Sequence, residues 1–298
     1  MPSMLLLAAV TAFAVQSAPG EIIGLKIPIP GDQVAGTTSK LSEVEAELVA
    51  RMAPQGQAER LLQYAIARHV GATDEIRARL PDWKGRITIT PALDALLDAA
   101  RNGDDLRVRA ASLEIELAAM NISKTAAQVD ALIEIIRANP IGARPSIYAL
   151  GALANRGVAP TRIYEELRAL ALSPDEMVRY QAYDAIAKIG TDDTVADLVY
   201  AFHFDPSRRV RIDGGGCGVA HCGMLTRSQR MMAVPGLIAM ADDAAVSAAD
   251  RMFAFRALRE ITDETWTDDV TLWRDWYAAH GTETLERFRR FDAAQPPF

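Results

Sequence analysis

Two stretches, SPDEMVRYQAYDAIAKIG at Ser173–Gly190 and DPSRRVRIDGGGCGVAHCGM at Asp205–Met224, read as one helical unit written twice. Each opens near an acidic residue, passes through Val-Arg and continues with small residues at helical spacing. Working outward from them, apolar periodicity pairs helices at 91–102 with 105–121, 125–138 with 143–155, 160–172 with 174–189, 192–203 with 206–221, and 228–241 with 248–261. Laid on one another, the second helices share a column of small anchors, Ser112, Ala149, Ala182, Gly214 and Ala254, at intervals of 37, 33, 32 and 40 residues. Three positions later the column reads Ile115, Ala152, Ala185, Cys217 and Ala257. A two-helix unit of about 35 residues cannot bury its apolar face alone, so neighbours must stack and share a core. Small side chains in one column let adjacent helices approach closely. The expected fold is all-α: an α-solenoid of about five helical hairpins over residues 91–265.

In this register Asp105 to Arg109, Asp175 to Arg179 and the longer Asp205 to Arg211 each give an Asp-x-x-Val-Arg start followed by the Ala/Gly column. These residues resemble HEAT-type repeats, including the HEAT-like repeats of phycobiliprotein lyases and of many exported bacterial proteins. The resemblance covers roughly residues 91 to 280 and speaks to fold more than to function. Two repeats depart from it: the second has Arg144-Pro145-Ser146 where Val-Arg is expected, and the fifth has Ala249-Asp250-Arg251. Within each unit, Asp105 with Arg109, Asp175 with Arg179, and Asp205 with Arg209 stand four apart, which predicts ordinary helix-start ion pairs.

On either side of the repeats the sequence changes character. Residues 1–18 hold an uncharged apolar run, Met4 to Val15, followed by small residues, with Ala12-Phe13-Ala14 or Val15-Gln16-Ser17 as the cleavage site. That is the pattern of a cleavable export signal, although Lys or Arg does not precede the run. The run is too short to span the ~30 Å hydrocarbon core as a permanent helix. Gly, Pro and Thr at 19–40 read as a flexible linker, and 41–90 as a helical segment of LSEVEAELVARMA, QAERLLQYAIARHV and a short TDEIRARL stopped by Pro81. Residues 266–298 form a cap and tail. There Thr267-Asp268-Asp269 start one helix with Leu272, Trp273, Trp276 and Tyr277, and a second at 281–291 carries Leu285, Phe288 and Phe291. Large aromatics with charged neighbours suit the exposed end of a solenoid.

Composition narrows the function. With 50% hydrophobic but only 6% aromatic residues, the 298-residue chain favours Ala/Leu-rich helices. Its net charge of −7 disfavours nonspecific attraction to nucleic acid or an anionic membrane. The motifs His-Glu-x-x-His, Gly-x-Ser-x-Gly and Cys-x-x-Cys-His are absent, and His69, His203, His221 and His280 are scattered. No cofactor is expected.

Cys217, His221 and Cys222 form the sharpest cluster, because thiolate and imidazole ligate zinc or copper. A tetrahedral structural site needs a fourth ligand, and His203 is the nearest other His in sequence. A small buried thiol also suits the column that Cys217 shares with alanines. A disulfide is disfavoured on a regular α-helix, where residues five apart leave their Cα atoms roughly 8.6 Å apart, beyond the bridging limit of about 7 Å. A bridge therefore requires the helix to leave regular geometry. The run Gly214-Gly215-Gly216 marks a close helix crossing or an opened helix, since it lacks the order of a phosphate loop.

The leading expectation is an exported, periplasmic or secreted scaffold that binds a protein or peptide on the concave surface of its second helices. Tyr180, Tyr183, His203 and Phe204 are the candidate partner contacts. The alternatives are an enzyme or lyase-like cofactor accessory, or a metal or redox sensor, with a site near Cys217, His221 and Cys222.

Overall fold

The computed structural model describes residues 40–295. The expected export signal at 1–18, the linker at 19–40 apart from Lys40, and residues 296–298 lie outside the described residues.

The N-terminal segment holds three helices. Ser42 caps α1 (Glu43–Ala50) through a reciprocal box with Glu45. Helix α2 (Pro54–Ile66) starts on a proline and turns Ala58, Leu61, Leu62 and Ala65 inward. Helix α3 (Ala72–Trp83) does not stop at Pro81, as the sequence predicts, but runs through it. Near a C-terminus proline forfeits few backbone bonds, and burial of Trp83, whose indole N–H donates to Gln57 at 2.9 Å, holds the last turn in place.

The repeats follow as hairpins. Helices α4 (Pro91–Asn102) and α5 (Leu106–Ala119) form the first, α6 (Ala126–Ala138) and α7 (Arg144–Asn155) the second, α8 (Pro160–Leu170) and α9 (Glu176–Ile189) the third. Their starts are the ones the sequence signals: Thr90, Asp105, Thr125 and Asp175 accept from backbone N–H groups of the first turn, and Pro91, Pro145 and Pro160 sit in first turns. Gly190 ends α9 at φ 71°, a conformation that favours glycine, and a Cβ there would lie 2.6 Å from the Met224 carbonyl oxygen.

The fourth hairpin departs from the rest. Its first helix, α10 (Asp192–Phe204), is regular, but its second is π-helical over Val210–Gly216 and again over Gly218–Cys222. The expected first helix of the fifth hairpin, 228–241, is broken into α11 (Arg227–Met231) and α12 (Val234–Asp242), with Pro235 in the first turn of the second piece. Helix α13 (Ala248–Thr262) completes the pair. The cap is one helix, α14 (Val270–Ala293), rather than the expected two. A lone Gly281 does not break it, because Tyr277 packs against that glycine and both Trp276 and Phe288 are buried on the same helix.

Successive second helices pack on each other, α7 on α9 and α9 on the π-helical segment, which is the stacking of an α-solenoid. The small column is buried throughout, with Ser112, Ala182 and Ala254 at 0% and Ala149 at 1% exposure. At Gly151 a Cβ would stand 2.5 Å from the Ala185 carbonyl oxygen, so adjacent repeats meet backbone to backbone. The core falls into two clusters, one over Val49–Ala118 and one over Leu113–Phe288. Helix α5 serves both: Val108, Ala111, Ile115 and Ala118 face the first, Leu113 and Leu117 the second. Each such side chain, fully buried, stabilises by about 1.5–3 kcal/mol for Val, Leu or Ile.

Candidate functional site

The π-helical segment is the part of the solenoid with chemistry in it. Glycine explains how it fits. A Cβ on Gly215 would lie 2.5 Å from both the Leu198 carbonyl oxygen and the Phe202 nitrogen, so the segment rests directly on the backbone of α10. In π-helical pitch, bonds run from i to i+5, and residues five apart come onto one face. The Cα atoms of Cys217 and Cys222 are accordingly 5.1 Å apart, and the two cysteines are disulfide-bonded. The sequence argument against a bridge assumed a regular α-helix, and that geometry is what the segment lacks.

The C-terminal carbonyls of the segment are met by two arginines from elsewhere in the chain. Arg230 donates to the Ala220 oxygen at 2.9 Å and to the Leu225 oxygen at 3.1 Å. Arg109, on α5, donates to the carbonyls of His221 and Gly223, the latter at 2.7 Å, and to Gly103 at 2.6 Å. Positive charge at a helix C-terminus opposes its dipole and satisfies its orphan carbonyls. Burial pushes the Arg109 guanidinium down to about 10 and that of Arg230 to about 9, still charged at neutral pH. A solenoid repeat ordinarily touches only its neighbours, yet Arg109 ties the first hairpin to the fourth.

His221 lies between two partners. Its Nε2 is 3.6 Å from Cys217 Sγ, and its Nδ1 is 3.3 Å from Glu260 Oε1, an ion-pair separation without hydrogen-bond alignment. Burial pushes the Glu260 carboxyl up, but His221, Arg256 and Arg230 together hold it below its ordinary range. Among the described residues Cys217, His221 and Cys222 form the one group of metal-ligating type, their ligand atoms within 4.8 Å of one another. His203 does not join them as a fourth ligand; its Nε2 faces Asp243 at 2.9 Å. With both sulfurs in a disulfide neither is a thiolate, so the bridged cluster does not fit a metal.

Beside the bridge lies a cleft of about 210 Å³ between α4, α5, α9 and the end of the π segment, lined by Arg101, Asn102, Arg109, Asp184, Lys188 and Cys222 among others. Below it runs a buried polar network that the sequence reading missed. Arg101 reaches Glu116 at 2.6 Å, Tyr148 donates to Glu116, and Lys188 pairs with Asp184 at 2.6 Å while standing 4.8 Å from the Tyr148 ring centroid. Burial raises the Glu116 carboxyl despite Arg101 and Tyr148, and raises the Tyr148 phenol further. The signal available in sequence was the pair of acids, Glu114 and Glu116, inside an otherwise apolar helix.

The arginine pattern also differs from expectation. Arg179 does not pair with Asp175 four residues back. It makes a two-pronged contact with Asp205 of the next repeat, at 2.9 and 3.0 Å. Arg211 also reaches the next repeat, through a single hydrogen bond to Asp250 at 2.7 Å, while Arg109 contacts carbonyls and leaves Asp105 to Arg107. The ladder runs between repeats, and Arg211 rather than Arg209 is the equivalent of Arg179. Arg209 instead lies 4.8 Å from the Tyr180 ring centroid, and Arg208 lies 5.4 Å from that of Phe253.

Of the four candidate partner contacts, Tyr183 is buried at 5% exposure and Tyr180 is half-buried beneath Arg209. His203 is held by Asp243 and stacks on Phe204 with ring centroids 3.8 Å apart. Phe204 is 57% exposed, and so is its neighbour Tyr200 at 59%, which the sequence reading passed over. Both lie on the first helix of their hairpin, so Phe204 is not on the second-helix face where it was expected. That face is also not open throughout, since α5 is buried from Val108 to Ala118.

Helical hairpins stacked in chain order define an α-solenoid protein. Residues 129–214 match the family model for HEAT repeats, and the all-helical stacked structure agrees with that match. Comparison with curated proteins and with solved structures gives no match.

Proposed function

We propose that this chain is an exported scaffold that binds a protein or peptide partner along the starts of its second helices. HEAT repeats generally mediate protein interactions, which supports the class of function. One observation carries the location: the start of the fourth hairpin's second helix presents two exposed arginines, Arg209 over Tyr180 of the preceding second helix and Arg208 over Phe253 of the following one, just after the exposed pair Tyr200 and Phe204. Arginine and aromatic side chains are the types that anchor interfaces, since they combine large contact area with directed hydrogen bonding. The reading invokes no catalysis and no nucleic acid. No helix among the described residues is long and apolar enough to cross a membrane.

Partner recovery from the native envelope by crosslinking, with the wild type and a Tyr200→Ala/Phe204→Ala/Arg209→Ala chain side by side, tests it. The wild type is expected to retain a partner that the triple variant loses, with unchanged helical circular dichroism. Equal recovery by both chains would overturn the location. Export is tested separately by the mature N-terminus, expected just after Ala14 or Ser17; an intact Met1 on the envelope-localised protein would count against a cleaved signal.

A further inference from the structure

We propose that the Cys217–Cys222 bridge is a thiol–disulfide exchange site that accepts two electrons from the dithiol of a partner protein. Three features point the same way. The bridge spans only five residues of one π-helical segment, so opening it separates no distant parts of the chain. Cys222 lines the open cleft, which gives an incoming thiolate access to its sulfur. The other sulfur, Cys217 Sγ, has an imidazole nitrogen 3.6 Å away, and Glu260 stands 3.3 Å behind that ring. A purely structural staple needs neither access on one side nor a hydrogen-bonding group on the other.

The two sulfurs take different parts. A partner thiolate attacks Cys222 Sγ through the cleft and forms a mixed disulfide there. The Cys217–Cys222 bond breaks, and its electron pair leaves on Cys217 Sγ, where the N–H of His221 can stabilise the thiolate. The second thiolate of the partner then attacks the partner sulfur of the mixed disulfide and releases Cys222 as a thiolate. The partner ends as a disulfide, and the two protons its thiols gave up end on the two cysteines of this chain. Arg109 and Lys188, which line the same cleft, favour the Cys222 thiolate by their charge.

The test uses the full chain and the glutathione couple as probe. Native protein is equilibrated with buffers of varied reduced-to-oxidised ratio, trapped by alkylation and read by mass. The bridge is expected to open in the folded protein within the range that glutathione buffers span. If excess reduced glutathione leaves it closed in the native chain and opens it only in denaturant, the bridge is a structural staple and the proposal fails. A second arm assigns the sulfurs: with oxidised glutathione, Cys217→Ser, which leaves Cys222, should form the mixed disulfide about tenfold faster than Cys222→Ser, given the difference in access. Equal or reversed rates would overturn the assignment. His221→Asn should shift the equilibrium about fivefold toward the closed bridge through loss of one hydrogen bond to a thiolate, at unchanged circular dichroism; an unshifted equilibrium would remove His221 from the mechanism.

Discussion

Helix α9 and the π-helical segment occupy equivalent places in adjacent repeats and open with similar sequence, yet only one of them is an α-helix. In α9 the inward column is Ala182 and Ala185, and their methyl groups set the distance to the neighbours. In the next repeat Gly214 stands in place of Ala182, Cys217 in place of Ala185, and Gly215, Gly216 and Gly218 in place of larger side chains, and the segment settles onto the backbone of α10 and winds wider. Loss of side chains at these four positions therefore changes packing distance, helical pitch and, through the five-residue face, the chemistry available to two cysteines. The ion pairs do not change: Arg179 and Arg211 both reach the next repeat. The contrast teaches that the arginine ladder fixes the stacking, while the small column tunes what each repeat can become.

The sharpest way to break this comparison is to give one glycine back its methyl. Gly215→Ala places a Cβ against backbone atoms that cannot retreat, and is expected to cost about 3 kcal/mol as an overpacked site, read by chemical denaturation. A neutral result would mean the segment does not rest on α10. Next in size, Arg109→Met should cost about 2 kcal/mol by leaving carbonyls of the π segment without their charged donor. Hydrogen exchange should then rise in 220–224 and 103–109 together, whereas a neighbour-only solenoid would show a change in one of them. Gly214→Ala has the opposite sign from its neighbour: its Cβ would meet Tyr183 at an ordinary 3.5 Å, so the fold should be unharmed or gain up to about 1 kcal/mol from helix propensity.

The smallest effect concerns the ladder. Burial pushes the Asp250 carboxyl up, but Arg211, Ser247 and Arg208 hold it below its ordinary 3.8. A carboxyl depressed in the fold contributes stability that is present above its unfolded pKa and lost as pH falls through the folded value. Asp250→Asn should therefore flatten the acid limb of the stability profile below about pH 4, while leaving its slope near neutrality unchanged. An unaltered acid limb would show that the contact with Arg211 is not what depresses that carboxyl.

Much of the fold was legible in the sequence because its signals are local. Thr90, Asp105, Thr125 and Asp175 cap within about one residue of the helix starts read from the sequence, and the small column is buried where expected. The misses come from tertiary competition. Pro81 and Gly281 would end helices in isolation, but Trp83, Trp276 and Phe288 hold the backbone through them. The pairing of Arg179 with Asp205 follows from stacking distance, which four-residue spacing within a helix does not contain. At the candidate site, the cluster of Cys217, His221 and Cys222 was visible, and so was the condition for a bridge. Whether the helix met that condition depended on what the glycines touch. The cleft and the network below it, with Arg101, Arg109, Tyr148 and Lys188 drawn from three hairpins, have no linear signature.

Non-reducing peptide mapping of the folded chain, alkylated before digestion and purified without reductant, tests the geometry of the fourth repeat most directly. The account predicts a single product in which Cys217 and Cys222 are linked to each other in a protein of unchanged helicity. Two alkylated thiols that persist in the native protein after equilibration with excess oxidised glutathione would mean the segment is an ordinary α-helix with its cysteines out of reach.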